Sequence, residues 1–326
     1  TGPGEPELAA LDEPIDDDLL RLIFTATHPA LPATSRTALT LKVLAGLQIA
    51  EIARAFLISE STAAQRVVRA KRTLLEQRIR LELPAPAERT ERLAAVLEVI
   101  YLIFNEGYAA TAGQDLMRPA LCDEALRLGR VLAELAPGEP EALGLLALME
   151  LTAARAAART DAAGEPVLLL AQNRALWDQL LLRRGLAALA RAEALGRAPG
   201  PFGVQAAIAA CHARARTAGE TDWAGIAALY AELGALTPSP VVALNRALAV
   251  AMAEGPQAGL DLLDAIAASP ALAGYHLLPS ARAELLARLG RREEARAEFE
   301  RAAALTRNTR QRDRLLERAA QLARGA

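Results

Sequence analysis

Along most of this chain apolar residues return every three or four positions, and no segment alternates convincingly with period two. That periodicity belongs to helices packed through one face. Leu19, Leu22, Ile23 and Phe24 predict a first helix, opened by acids at Asp16–Asp18 and stopped at His28-Pro29 and Pro32. A second helix is predicted over about 34–45, with Leu39, Val43 and Leu44 on one side. Ile49, Ile52, Ala53 and Phe56 then stand at i, i+3, i+4, i+7 on a short helix. Leu57-Ile58-Ser59 break it before a longer helix over about 60–82, which buries Ala63, Val67, Ala70 and Leu74. Its other side carries Ser61, Gln65, Val68, Arg69 and Arg72. Two helices joined by a three-residue turn, the second one basic, make a helix-turn-helix.

Pro84-Ala85-Pro86 marks a boundary, and helix follows helix beyond it. Leu93, Val96, Leu97, Ile100, Tyr101 and Phe104 form one stripe, and Leu121, Leu128, Leu132 and Leu135 another. Gly and Pro punctuate the joints at 137–138, 164–166, 199–201, 238–240 and 270. The fold class is therefore all-α. In the last third a repeat of period 36 pairs Ala247 with Ala283, Gly259 with Ala295, Leu263 with Phe299 and Ile266 with Ala302. The small–aromatic–small spacing of Ala295, Phe299 and Ala302 is that of tetratricopeptide second helices. The expected division is an acidic arm over 1–18, the helix-turn-helix over 19–83, a helical extension over 84–200 and TPR-like helical repeats over 201–326.

Charge changes the picture. Among 326 residues, 37 Lys+Arg face 39 Asp+Glu, a near-neutral total that hides an uneven distribution. Residues 1–18 are purely acidic, while residues 21–82 carry ten basic side chains against Glu51, Glu60, Glu76 and Glu82. An acidic lead, a compact basic module and a neutral body point to a polyanionic partner for the module. In the second helix of a helix-turn-helix, the first turns enter the major groove while flanking Arg and Lys meet phosphates.

Candidate chemistry is sparse. Cys122 and Cys211 make no disulfide framework, and with no signal pattern or membrane-length apolar run the chain is expected to be cytoplasmic, without a membrane partner. His28, His212 and His276 are isolated, Cys211-His212 point apart on a helix, and neither a phosphate loop nor a dinucleotide fingerprint occurs. No catalytic residue, no metal ligand and no cofactor is expected. Three polar clusters remain: one around Asn105 and Glu106, one of Gln172 and Arg174 followed by Trp177 and Asp178, and one of Asp222 and Trp223. They read either as a ligand pocket or as packing, with Asp222 an N-cap, the tryptophans interhelical anchors and Arg174 a hydrogen-bond hub.

Leu31-Pro32, Arg36, Leu39, Leu41-Lys42, Gly46-Leu47, Glu51-Ile52-Ala53, Ile58-Ser59, Thr62, Arg66 and Arg69-Ala70-Lys71 resemble region 4 of bacterial sigma factors. The similarity is to the extracytoplasmic-function (ECF) type. HPAL at 28–31, YLIFNEGY at 101–108, GLLALMEL at 144–151, Trp177-Asp178, QAAIAACHA at 205–213, TDW at 221–223, PSPVVALNRALAV at 238–250 and RLGRREEA at 288–295 resemble the long C-terminal extension of one subgroup. That subgroup usually has Asp where Asn173 stands and Tyr where Phe202 stands. Region 2 is not found ahead of the acidic arm, which would then be the end of an interdomain linker.

The resemblance implies promoter DNA and RNA polymerase core as partners. Glu60, Ser61, Thr62, Ala64, Gln65, Arg66, Arg69, Lys71 and Arg72 would form the DNA-binding set on the promoter −35 element. Gln65 and Ala64 would face base edges, Arg69, Lys71 and Arg72 phosphates or bases, and Arg66 the backbone. The first region 4 helices would dock the flap of the polymerase β subunit, and an intramolecular contact between extension and sigma domain would regulate or support initiation. The alternatives are a LuxR-type regulator with TPR-like repeats, and an extension holding an enzymatic or ligand pocket around Arg174, Asp178 and Asp222.

Overall fold

The computed structural model describes residues 18–56, 58–85, 88–108, 117–161, 167–306 and 309–324. The acidic lead up to residue 17, Leu57 in the turn, Pro86 and the 164–166 joint lie outside the described residues. Among those described, fifteen α-helices and a few single 3-10 turns form the chain, with no strand. The architecture is all-α, as the periodicity predicts. By its contacts the chain divides into two compact units, Thr1–Ala206 and Ala207–Ala326.

The first unit opens with α1 (18–26), which ends where the His28 Nδ1 accepts from the Ala30 N–H at 3.1 Å. α2 (Ala33–Val43) follows, and Gly46, at φ 67°, turns the chain into α3 (Ile49–Ala55). The Glu51 carboxylate reaches back to the Gln48 N–H at 2.6 Å, half of a capping box that fixes where α3 starts. α4 (Glu60–Glu76) opens on Ser59, whose hydroxyl accepts from the Thr62 N–H at 3.1 Å.

The predicted run to residue 82 is too long. The Arg78 N–H bonds to the Leu75 carbonyl and the Ile79 N–H to the Leu74 carbonyl, a Schellman motif that closes α4 at Gln77. Its left-handed position is Arg78, at φ 54°.

The extension continues the unit with α5 (Arg89–Tyr108), α6 (Pro119–Leu135), α7 (Pro140–Ala153), α8 (Gln179–Ala194) and the start of α9 (Pro201–Arg214). Prolines that punctuate the sequence stand at helix starts, where the missing N–H costs nothing. α7 is buried along nearly its whole length between α5, α6 and α8. Its Glu141 carboxylate accepts from the Phe202 and Gly203 N–H groups at 3.0 and 2.9 Å, capping α9 from another helix.

A single apolar core joins the helix-turn-helix to the extension. Ile23, Leu39, Leu41, Ile52 and Val67 belong to the same buried cluster as Val96, Ile100, Phe104, Leu121 and Met149. The helix-turn-helix and the first helices of the extension thus bury their apolar faces against one another. Polar ties add to it: Arg36 meets Glu98 at 3.4 Å, and Arg127 donates to the Leu44 carbonyl at 2.7 Å.

In the second unit α10 (Trp223–Leu236), α11 (Pro240–Ala253), α12 (Pro256–Ile266), α13 (Leu277–Arg288), α14 (Arg292–Leu305) and α15 (Thr309–Arg324) pack each on the next. Most residues paired by the 36-residue period are core in both copies: Ala247 and Ala283, Gly259 and Ala295, Leu263 and Phe299. Ile266 is half-buried where its counterpart Ala302 is fully buried. Among the described residues, no helix is long and apolar enough to cross a membrane.

Candidate nucleic-acid interface

α4 is the second helix of the helix-turn-helix, and its two sides differ sharply. Ala63, Val67 and Ala70 are buried against α2 and α3. At about 100° per residue, Ser61, Gln65, Val68, Arg69 and Arg72 lie within about 50° of the opposite direction. All five are exposed, as are Glu60 and Lys71. Ala64 and Thr62 are half-buried on the flanks. The Thr62 hydroxyl sits 2.8 Å from the Ser59 hydroxyl, so it belongs to the cap.

Small residues at 63 and 70 let α4 lie close on its neighbours and push its long side chains outward. Arg69 and Lys71 extend with no ion pair among the described residues, and Arg72 pairs with Glu76 at 3.3 Å only through an exposed i,i+4 contact. An exposed pair of this kind contributes a few tenths of a kcal/mol at most and yields readily to a phosphate. Serine and glutamine at the first turns with cations behind them suit a duplex groove.

Arg66 stands apart from the set. It is half-buried and lines a cavity of about 200 Å³ with Thr34, Ile52 and Phe56 from the helix-turn-helix and Leu102 and Glu106 from α5. The structure thus brings Ser61, Gln65, Arg69 and Arg72 together on one face and turns Arg66 toward the extension. Val68 lies on that face with 64% of its surface exposed, as the helical periodicity predicts, although the DNA-binding set drawn from the resemblance does not include it.

Within the first unit the polar groups of the extension take up separate local roles. Asn105 is exposed on α5, and Glu106 is ion-paired with Arg118. Arg159 donates to the Tyr108 carbonyl and lies over its ring, 4.0 Å from the centroid. Trp177 is 3% exposed, with the Arg174 guanidinium 4.7 Å from its ring centroid. Asp178 caps α8 through the Leu180 and Leu181 N–H groups at 2.8 and 3.0 Å. Gln172 donates to the Val167 carbonyl at 3.3 Å.

Asp222 and Trp223 lie in the second unit. Asp222 caps α10 through the Gly225 N–H at 2.8 Å, and Trp223 stacks edge-on against His212 with centroids 5.3 Å apart. Capping and packing account for these groups. A cavity of about 230 Å³ beside Tyr108, Cys122, Asp123, Leu176 and Asp178 has mostly apolar walls. Burial pushes the Cys122 thiol up to about 11, so it is held protonated and unreactive at neutral pH. Among the described residues, no group of three or more His, Cys, Asp or Glu could hold a metal ion.

Comparison with known proteins agrees with this geometry. Residues 21–74, from α1 to the last turn of α4, match the family described as "Sigma-70, region 4". Residues 92–193, which are α5 through α8, match a family of unknown function (DUF6596). Over 292 residues the chain is 49% identical to an uncharacterized protein of Rhizobium meliloti (strain 1021), covering 90% of this chain and 68% of that one. Sigma-70 region 4 is a DNA-binding transcription module. The chain belongs to one family with that Rhizobium meliloti protein, carrying a sigma-70 region 4 ahead of a domain of unknown function (DUF6596).

Proposed function

We propose that the chain is a promoter-binding sigma factor of the ECF subgroup with a long helical extension. In this reading α4 enters the major groove of the −35 element. Ser61, Gln65 and Ala64 face base edges there, while Arg69, Lys71 and Arg72 hold phosphates. The first region 4 helices meet the β-subunit flap of RNA polymerase, and the TPR-like repeats of the second unit hold a protein partner.

One observation carries the reading. The outward face of α4 is exposed and basic while its inward side shares a core with α5–α7. An extension that inhibits by covering the recognition helix would bury that face. The first-unit helices α5–α7 hold the helix-turn-helix from behind, which favours a supporting role for that part of the extension.

The test is fluorescence anisotropy of the full chain on a −35-like duplex at two salt concentrations. Affinity should fall steeply with salt as phosphate contacts release counterions. Arg69→Ala and Lys71→Ala should weaken binding to all sequences alike and flatten the salt slope by about one each. Gln65→Ala should change preference at one base position, costing about 1–3 kcal/mol there. Salt-independent binding, or none to any duplex, would remove the assignment.

A further inference from the structure

We infer that Val68 is a specificity-determining residue that reads the 5-methyl group of a thymine in the major groove. The inference rests on the DNA-reading role proposed for α4 and names one chemical group that α4 recognises.

The argument begins with exposure. Val68 is 64% exposed in the middle of a well-ordered helix, whereas Ala63, Val67 and Ala70 on the inward side are buried. A β-branched residue in a solvent-exposed helix position has poorer helix propensity than Ala and gives up chain entropy with no packing in return. Val68 belongs to none of the buried apolar clusters of the described residues. Its rigidity becomes useful only if an apolar surface arrives from outside.

The neighbours say what kind of surface that is. Ser61, Gln65, Val68 and Arg72 follow one another at spacings of four, three and four along the outermost edge of α4. The three polar members are a hydroxyl, an amide and a guanidinium, each able to bond to base edges or phosphates. A protein partner would favour a broader apolar patch, and the next exposed apolar side chain on α4 is Leu75, two turns on. In the major groove the only apolar group that a base edge presents is the thymine methyl. A stiff, branched, two-methyl side chain between Gln65 and Arg72 suits that target. Its single accessible rotamer family costs little entropy on binding.

The experiment uses the full chain. Duplexes enriched from a randomised 12-base-pair core are the probes, and each thymine of the best-bound duplex is replaced in turn by deoxyuridine, which lacks only the methyl. The wild type should lose about fourfold affinity at one thymine, the equivalent of about 0.8 kcal/mol for one buried methyl-sized group. Val68→Ala should bind the thymine and deoxyuridine duplexes equally at that position. Val68→Thr, which keeps one methyl, should retain part of the discrimination, and Gln65→Ala should retain all of it. Position 68 is exposed, so circular dichroism melts should show the position 68 variants folded, with Val68→Ala no less stable than the wild type.

A wild type blind to every deoxyuridine, or a Val68→Ala protein that discriminates as well as the wild type, overturns the inference even if salt-dependent DNA binding stands. Absence of binding to any duplex is a distinct result. It removes the DNA-reading role of α4, and this inference with it.

Discussion

The Arg92 guanidinium on α5 donates to the Phe24 carbonyl in α1, 2.9 Å away, bonding residues 68 positions apart. Burial lowers the Arg92 pKa against the opposing pull of Glu88 and Glu91. A charged donor placed on a main-chain carbonyl contributes about 1.5–3 kcal/mol when its partner would otherwise go unmet. Arg92→Ala should therefore lower stability by about 1–3 kcal/mol. Because the core runs unbroken from Ile23 to Met149, the loss should raise amide hydrogen exchange in α2 and α5 together. Exchange that rises in the helix-turn-helix while α5 stays protected would show two independent folding bodies instead of one.

Arg78 supplies a prediction of opposite sign. It occupies the left-handed position of the motif closing α4, at φ 54°, where Gly290 at φ 77° does the same job after α13. A side chain there costs about 1 kcal/mol, because Cβ crowds the backbone. Arg78→Gly should stabilise the protein by about 0.5–1 kcal/mol in urea unfolding, less the entropy that glycine adds to the unfolded chain. Unchanged or lowered stability would mean that Arg78 makes a compensating contact through its side chain.

These two residues mark the limits of what sequence could reveal. The helix-turn-helix was legible because Ile49, Ile52, Ala53 and Phe56 repeat at i, i+3, i+4, i+7, and Ala63, Val67 and Ala70 follow at i, i+4, i+7 on α4. The end of α4 was not legible, since an arginine in place of the usual glycine hides the stop and Ile79 and Leu81 prolong the apolar pattern. The shared core was invisible for another reason: periodicity says which face is buried but not what covers it. Arg66 and Val68 differ in the same way. The helical wheel puts Val68 on the outward side, where the fold leaves it in solvent, but does not foretell that Arg66 lines a cavity. Glu141, which caps α9 from α7, carries no local signal at all.

Glu150 is 2% exposed on α7, and its carboxylate accepts from Arg130 Nε of α6 at 3.0 Å. Burial raises its pKa, and the bond from Arg130 pulls it partly back. A carboxyl with a raised pKa holds its proton in the folded state after the unfolded chain has lost its own. Stability therefore falls as pH rises through the interval between the two pKa values. Arg130→Ala removes the hydrogen-bonding partner, widens that interval and leaves a buried carboxylate with Arg184 as its remaining counter-charge at neutral pH, costing at most about 3–5 kcal/mol. The deficit should be smaller at pH 5 than at pH 7.5, since protonation relieves it. Urea unfolding at the two pH values checks this, and a pH-independent deficit would show that Arg130 acts through its aliphatic stem and not through Glu150.

The two copies of the 36-residue repeat differ at one close crossing. A Cβ on Gly259 of α12 would fall 2.3 Å from the Ala251 Cβ and 2.7 Å from the Ala247 carbonyl oxygen of α11. The corresponding residue of the second copy, Ala295 of α14, is fully buried and keeps its methyl. So α11 and α12 approach more closely than α13 and α14 can, although Ala247 and Ala251 have alanine counterparts at Ala283 and Ala287. Gly259→Ala gains about 1 kcal/mol of helix propensity. It also forces a methyl against main chain, where overpacking costs about 1–3 kcal/mol and no flexible side-chain tip can move aside. The expected net effect is a destabilisation on the order of 1 kcal/mol. Ala295→Gly should also destabilise, by about 1–2 kcal/mol, through lost propensity and a small void. Urea unfolding of the full chain followed by far-UV circular dichroism checks both. A raised midpoint for Gly259→Ala would mean that α11 and α12 separate at low cost, and that the glycine serves the turn at Gly255 more than the crossing.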